Sequence, residues 1–448
     1  MADRAKAEVV WDLFGVNIAQ QGRGFYVSLE LLAIVRGVVE LDPDQLLDPD
    51  VKTVQYKRSS HDLARRIAVG AEIETSALVG AIDGDRALDT LHALTSSLLV
   101  EIPGRRSAPT WFNAHLYPFV GELIHYDAVY RRGKAGPWIE RYTFRDGGGW
   151  AYNVLRNDPD NERRKATAAG LRELVADSRT PLGRVAESLK AHDSAPNSNE
   201  VYSDESEGET VVFDNISPWP EHLRRGVKYI VTRTSVPKAT RIESLMHWVP
   251  YCLARHQLHL SRHSLNLDRE VVFIDFSRDA SALRRRSQNA LDGFRKDIVN
   301  ALVERARQKA SAAESSVDRE KYERLARPST SSTGSPRSFF SESLAAVGAL
   351  NSTAGRRHFT FKPPMLEAIV AATLEPGHEV EFFVFCRKIF EEYGIVIDER
   401  TASEHNLTID VDGSEFRRNA VAFRDRLLAT GLLTHYSDTT SIVHGEHR

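Results

Sequence analysis

The residues with the greatest capacity for chemistry are three histidines, His256, His259 and His263, in the run RHQLHLSRHS. On one continuous helix they share a stripe, with Glu243 and His247 upstream, and neutral imidazoles at such spacing can ligate zinc. No H-E-x-x-H accompanies them and no cysteine pair is at hand. The expectation is therefore a polar helical face with satisfied histidines, and no bound metal. The next candidate is Asp275, which ends the apolar stretch 271–274. With Glu243 it would supply the clustered carboxylates of a Mg²⁺-dependent nuclease. No E-x-K or D-x-K follows on a second strand, and Glu270 falls on the opposite side of the strand period. An aspartate at a strand end just before a helix commonly serves as a turn or capping residue.

Other catalytic signatures are missing from the sequence. There is no G-x-S-x-G, and Cys252 and Cys386 sit in apolar helical surroundings without a paired histidine. No G-x-x-x-x-G-K-[ST] occurs, and Gly22-Arg23-Gly24 lacks the third glycine of a dinucleotide fingerprint. Gly147-Gly148-Gly149 runs into Trp150 and reads as a flexible turn. These absences point to a chain without catalytic residues or a cofactor of its own.

Charge gives the strongest signal. Between Arg278 and Lys309 there are nine basic residues against four acids, in a chain whose formal charge is −3. Arg284, Arg285 and Arg286 place three guanidiniums on one turn, with Arg295 and Lys296 three turns on, and guanidiniums bind phosphates bidentately. The alternative use of such a run is a solvated face or a salt-bridged interface. The overall negative charge means that any nucleic-acid contact must come from local patches of this kind.

These residues need elements to hold them, and 448 residues are too many for one ordinary core. The reading is a helix-rich, multidomain α+β protein. Residues 1–104 form a helical region around the apolar run 27–39. Residues 105–192 form an aromatic-rich α+β segment with a strand at 138–144 and a helix from 162 to 190. Aromatics there interleave with Arg131, Arg132, Lys134, Arg141 and Arg145, suiting either a single-strand platform or the core of a small sheet. Residues 193–210 carry six acids and no lysine or arginine, and form an acidic mobile linker. Residues 211–327 form a central α/β domain with strands at 211–213, 227–232 and 271–276, and a helix near 241–255. The long basic helix follows, capped by Ser277 and reaching 313, with Leu283, Leu291, Phe294, Ile298 and Leu302 on one stripe. A Ser/Thr/Pro linker at 328–338 precedes the last domain, 339–448.

In that last domain a helix around 365–373 is followed by a second at 379–393 and a third at 414–430, with a hairpin at 434–443. Asp412 opens the third helix and Gly431 closes it. Phe416, Ala420, Phe423, Leu427 and Leu428 mark its inner face, to pack on Phe382, Phe383, Phe385, Ile389 and Phe390. Arg417, Arg418 and Arg424 mark its outer face, where a recognition helix makes its groove contacts. Over residues 360–443 this order resembles winged helix domains. Glu391, Glu392, Asp398, Glu399, Glu404, Asp410, Asp412 and Glu415 surround it, and acids beside a recognition helix repel phosphate.

No apolar run approaches the roughly 18 residues of a membrane span, no secretory signal is expected, and two cysteines without a disulfide pattern suit a reducing cytoplasm. The expected function is a non-enzymatic DNA-binding or scaffold subunit of a bacterial-type nucleic-acid-processing assembly for DNA maintenance or defence. Its contacts would be Arg284, Arg285, Arg286, Arg295, Lys296, Arg417, Arg418 and Arg424, and its partners DNA and other subunits, such as a motor or nuclease. The alternatives are the Asp275/Glu243 nuclease and a protein–protein adaptor that binds no nucleic acid. If the acidic linker competes with DNA for a basic surface, deleting 195–209 raises DNA affinity. An unchanged dissociation constant removes that idea.

Overall fold

Apolar residues at nearly every position leave a helix no solvent face, and the run 27–39 lies in such a helix, with thirteen of its residues buried. In the computed structural model the described residues are 2–16, 18, 24–51, 54–57, 67–68, 85–99, 116, 118–120, 128–130, 137–139, 147–175, 180–191, 201–204, 212–277, 281–327, 336–351, 356–437 and 440–446. In chain order the first elements are α1 (Ala2–Phe14), α2 (Gly24–Leu41), β1 (Val54–Lys57), α3 (Asp85–Ser97), β2 (Ala128–Tyr130), β3 (Pro137–Ile139) and α4 (Gly147–Arg156). Next come α5 (Asn161–Val175), α6 (Pro181–Ala191), β4 (Val201–Asp204), α7 (Trp219–Val231), α8 (Lys238–Ser264), β5 (Val272–Phe273), α9 (Ala282–Ala312), α10 (Ser316–Leu325) and α11 (Pro336–Ala346). The last are α12 (Pro363–Thr373), β6 (Glu379–Glu381), α13 (Phe382–Tyr393), β7 (Ile395–Val396), α14 (Glu399–Glu404), α15 (Gly413–Ala429), β8 (Leu433–Ser437) and β9 (Thr440–His444). The chain is helix-rich α+β, and none of its helices is long and apolar enough to cross a membrane among the described residues.

Helix α8 is the axis. Its 27 residues are buried almost throughout, and α2, α7, α9, α11 and α12 pack around it. One hydrophobic cluster runs from Val10 on α1 through Trp150, Trp248 and Ile298 to Val443 on β9. A smaller one joins Ile67, Leu98, Leu116, Ala186 and Leu189. A third, Phe273, Leu283, Val396, Ala402, Val411 and Phe416, seals the junction of β5, β7, α9 and α15. The sheets are small: β1 pairs antiparallel with β4, β2 with β3, β5 runs parallel to β7, and β6-β9-β8 is antiparallel.

Several local expectations are corrected. The stretch 227–232 lies mainly in helix α7, because Leu223, Val227, Ile230 and Val231 share one buried face. Val212 and Phe213 form no strand. The central residues are thus helical, and β5 finds its partner β7 well downstream. The long helix is capped by Ser281, whose hydroxyl accepts from Arg284 N, and not by Ser277. The expected helix at 379–393 begins at Phe382, after the strand β6. Within the acidic linker, 201–204 is strand β4, and the expected strand 138–144 is described only at its first two residues. Arg131, Arg132, Lys134, Arg141, Arg145, Arg278, most of the aromatic run, and 193–200, 205–210 and 328–335 lie outside the described residues.

The glycine triplet differs most from its expected role. It opens the buried helix α4, where Gly148 N donates to Glu30 Oε2 on α2 at 2.8 Å. A carboxylate at a helix N-terminus meets free N–H groups and the positive end of the dipole. A Cβ on Gly148 would stand 2.4 Å from Glu30 Cβ and 2.6 Å from Leu31 N. The helix therefore approaches α2 at a distance that only glycine permits. Gly148→Ala should cost about 1–3 kcal/mol, read as a lower urea midpoint with an unchanged m-value.

Candidate nucleic-acid interface

The arginines singled out above lie on two helices whose N-terminal turns meet. Leu283 N, in the first turn of α9, donates to Glu415 Oε2 on α15 at 2.9 Å. Arg286 reaches Asp410, just before α15, at 2.5 Å and lies over the Phe273 ring. Asn419 on α15 then ties both strand segments together. Its Nδ2 donates to Ile274 O and Ile397 O at 2.8 and 2.9 Å, and its Oδ1 accepts from Phe276 N at 2.8 Å. Arg426 donates to Phe361 O and Phe276 O from the same helix. Neither Asn419 nor Arg426 stands out in the sequence, although a polar residue at the inward period of α15 is a signal for the first.

Most of the basic charge on α9 is used inside the molecule. Arg284 pairs with Asp275 at 2.7 Å and donates to Ser277 O. Arg295 donates to Ser341 Oγ at 2.6 Å, Arg305 and Lys309 both meet Asp12 of α1, and Arg307 meets Glu304. Arg285 and Lys296 are exposed and have no ion pair among the described residues. On α15, Arg417 and Arg418 are exposed and Arg424 is half-buried, with Arg417 held by both oxygens of Glu399.

The acids around α15 are similarly occupied. Glu392 pairs with Arg225 and Lys388, Glu404 with Arg387, Glu399 with Arg417 and Asp410 with Arg286. Asp398 and Asp412 cap α14 and α15, and Glu415 accepts from α9. Glu391 is exposed. A carboxylate in an ion pair or cap contributes far less repulsion than a free one. The inner face of α15 is Phe416, Ala420, Phe423 and Leu427. Leu428 is half exposed instead, as is Phe383 on α13.

Asp275 is fully buried and spends its oxygens on Ser277 N, Ser277 Oγ and Arg284, which is the work of a turn residue. Glu243 is half-buried, and burial together with the Glu367 charge raises its pKa. Among the described residues no group of three or more His, Cys, Asp or Glu could hold a metal. Both cysteines are buried, and burial pushes their thiols well above the usual range, away from the reactive thiolate.

The three histidines do share a face of α8. His256 Nδ1 lies 2.8 Å from Ser217 Oγ, His259 lies between Glu270 and Ile216 O, and His263 lines a cleft. Glu270 is the centre of a buried polar cluster, ion-paired with Arg255 and hydrogen-bonded to His259 and Trp219. Burial pushes its carboxyl upward, but the His259 hydrogen bond and the Arg255 charge outweigh this and hold it at about 2. Burial keeps other imidazoles neutral: His256 and His222 are pushed down to about 3 and His247 to about 4.

No family model, curated protein or solved structure matches the chain.

These groups set an acid limit on stability. A histidine neutral when folded takes up a proton on unfolding below about 6.5, so its contribution is complete above that pH and is lost as pH falls toward 3–4. Glu270 acts in the same direction lower down, between about 4.5 and 2. Each histidine adds a slope of about 1.4 kcal/mol per pH unit where it titrates only in the unfolded chain. Urea midpoints should fall steadily from pH 7 to pH 4.5, and a flat profile would contradict this.

Proposed function

We propose that the chain is a non-enzymatic DNA-binding or scaffold subunit of a nucleic-acid-processing assembly, and that 360–443 form a winged-helix-like unit. The order α12, β6, α13, α15, β8, β9 and the sheet order β6-β9-β8 support that reading, with β7 and α14 inserted before α15. The observation that carries it is the outward face of α15. Arg417, Arg418 and Arg424 stand there on the helix that would enter a groove, while most nearby acids are bound in pairs and caps and Glu391 and Asp425 are exposed. Arg285 is exposed in the first turn of α9, the turn that meets α15 through Leu283 and Glu415, and we add it to the proposed contacts, whereas Arg284, Arg286 and Arg295 act chiefly as internal ties.

The scaffold half of the reading has its own support. Val421 and Leu428 on α15, Tyr436 on β8, and Phe383 and Val384 on α13 are exposed apolar side chains concentrated in this unit. Exposed apolar groups rimmed by charge suit contact with another protein. A motor or nuclease would then be supplied by that partner.

Duplex DNA retardation measured over a salt series tests the proposal. Removing one phosphate-binding side chain lowers the slope of log K against log salt by about 0.9. The pair Arg418→Glu and Arg424→Glu should weaken binding and reduce the slope by about two. Equal slopes for the variant and the parent would remove these residues from the interface.

A further inference from the structure

His259 holds its ring between two groups that can only accept. Nδ1 lies 3.2 Å from Glu270 Oε2, and Nε2 lies 3.0 Å from the carbonyl oxygen of Ile216. Glu270 is buried and ionised, and a backbone carbonyl carries no proton. Only the imidazolium has N–H groups on both sides and so makes both bonds. Either neutral tautomer turns one nitrogen lone pair onto an oxygen. The neutral ring keeps its proton toward Glu270, because that bond is charge-assisted and shields a buried carboxylate. The bond to Ile216 O is then the one that breaks.

Ile216 belongs to a turn that walls a cleft. Ile216 N and Ser217 N both donate to Phe213 O, at 3.1 and 2.9 Å. Asp214 is held by Arg224, and Ser217 Oγ meets His256. Phe213 and Ile216 line one side of a cleft of about 270 Å³, facing Leu13 on α1, His263 on α8, and Glu304 and Arg305 on α9.

We propose that His259 is a proton-operated clasp. With its ring charged it pins the turn 213–217 to α8 and holds the cleft wall in place; with its ring neutral it releases Ile216 and the wall loosens. This is independent of the DNA-binding or scaffold reading. The charged and titratable groups around the ring come from several elements. Arg255, His256 and His263 stand on α8, Glu270 precedes β5, and the Arg224–Asp214 pair braces the turn from α7. Asp12, Glu304 and Arg305 lie across the cleft. His256 keeps its neutral form well below neutrality, and Arg255 stays bonded to Glu270 and Tyr393 O. His263 is the other imidazole beside this turn, so the two must be separated.

Hydrogen exchange of the full chain, followed in peptides covering 212–218 and corrected for intrinsic pH dependence, separates them. Breaking the one hydrogen bond to Ile216 O should lower protection about threefold to tenfold between pH 5.5 and pH 8. His263→Gln should keep that dependence, and His259→Gln should abolish it. Protection that does not change with pH in the parent chain, or a dependence that survives His259→Gln, overturns the proposal. Ring ¹⁵N shifts of the unmodified chain give a reading that needs no variant. Nε2 should lose its proton as pH rises while Nδ1 keeps its own, and the opposite tautomer also overturns the clasp.

Discussion

The structure depends on satisfying a length of buried, irregular backbone. The segments around β5 and β7 pair over only two residues each, yet they run through the interior between α8 and α15. Carbonyls and N–H groups there cannot reach water, and each left without a partner would cost on the order of 1–3 kcal/mol. Side chains from the flanking helices supply what the ladder does not. Asn419 serves Ile274, Phe276 and Ile397, Arg426 serves Phe276 and Phe361, and Arg255 serves Tyr393. Gly394, at φ 67°, lets the chain turn from α13 into β7 with its Cα hard against Glu270 O, where a Cβ would stand at 2.5 Å. Because these ties come from both sides, α8 and the C-terminal helices are held in one arrangement.

The same economy governs charge. A surface ion pair adds little stability, but it decides which charges remain available to a partner. Helix α9 looks like a phosphate-binding rod by composition. Folded, it is largely a clamp whose arginines and lysine hold α1, α11 and the start of α15. Most acids near α15 are likewise committed to caps and pairs. Arg285 and Lys296 on α9 and Arg418 on α15 are exposed and stand outside the ion pairs found among the described residues.

Local signals were legible wherever a single periodicity decided the outcome. The helical stripe of Leu283, Leu291, Phe294 and Ile298 is buried in α9, and the histidine spacing on α8 gives a shared face. Asp412 caps α15, Gly431 follows it with φ 70°, and the closing hairpin expected at 434–443 forms from Leu433–Ser437 and Thr440–His444. Failures came where local propensity met a tertiary demand. The β-branched run 227–232 is helical because α7 needs a buried face against α8. Gly147-Gly148-Gly149 is a helix start because α4 must approach α2 closely, and three glycines in sequence look the same in either role.

The sequence by itself determined the helix-rich composition, the apolar faces, the absence of a phosphate loop and the position of the arginines. Those properties follow from residue type and spacing along one element. Only the tertiary structure decided what the charged residues do. Whether Asp275 meets Arg284, Asp410 meets Arg286 or His259 stands between Glu270 and Ile216 depends on groups between 9 and 124 positions apart. No local pattern encodes such a distance, because the partner's place is set by how whole helices pack.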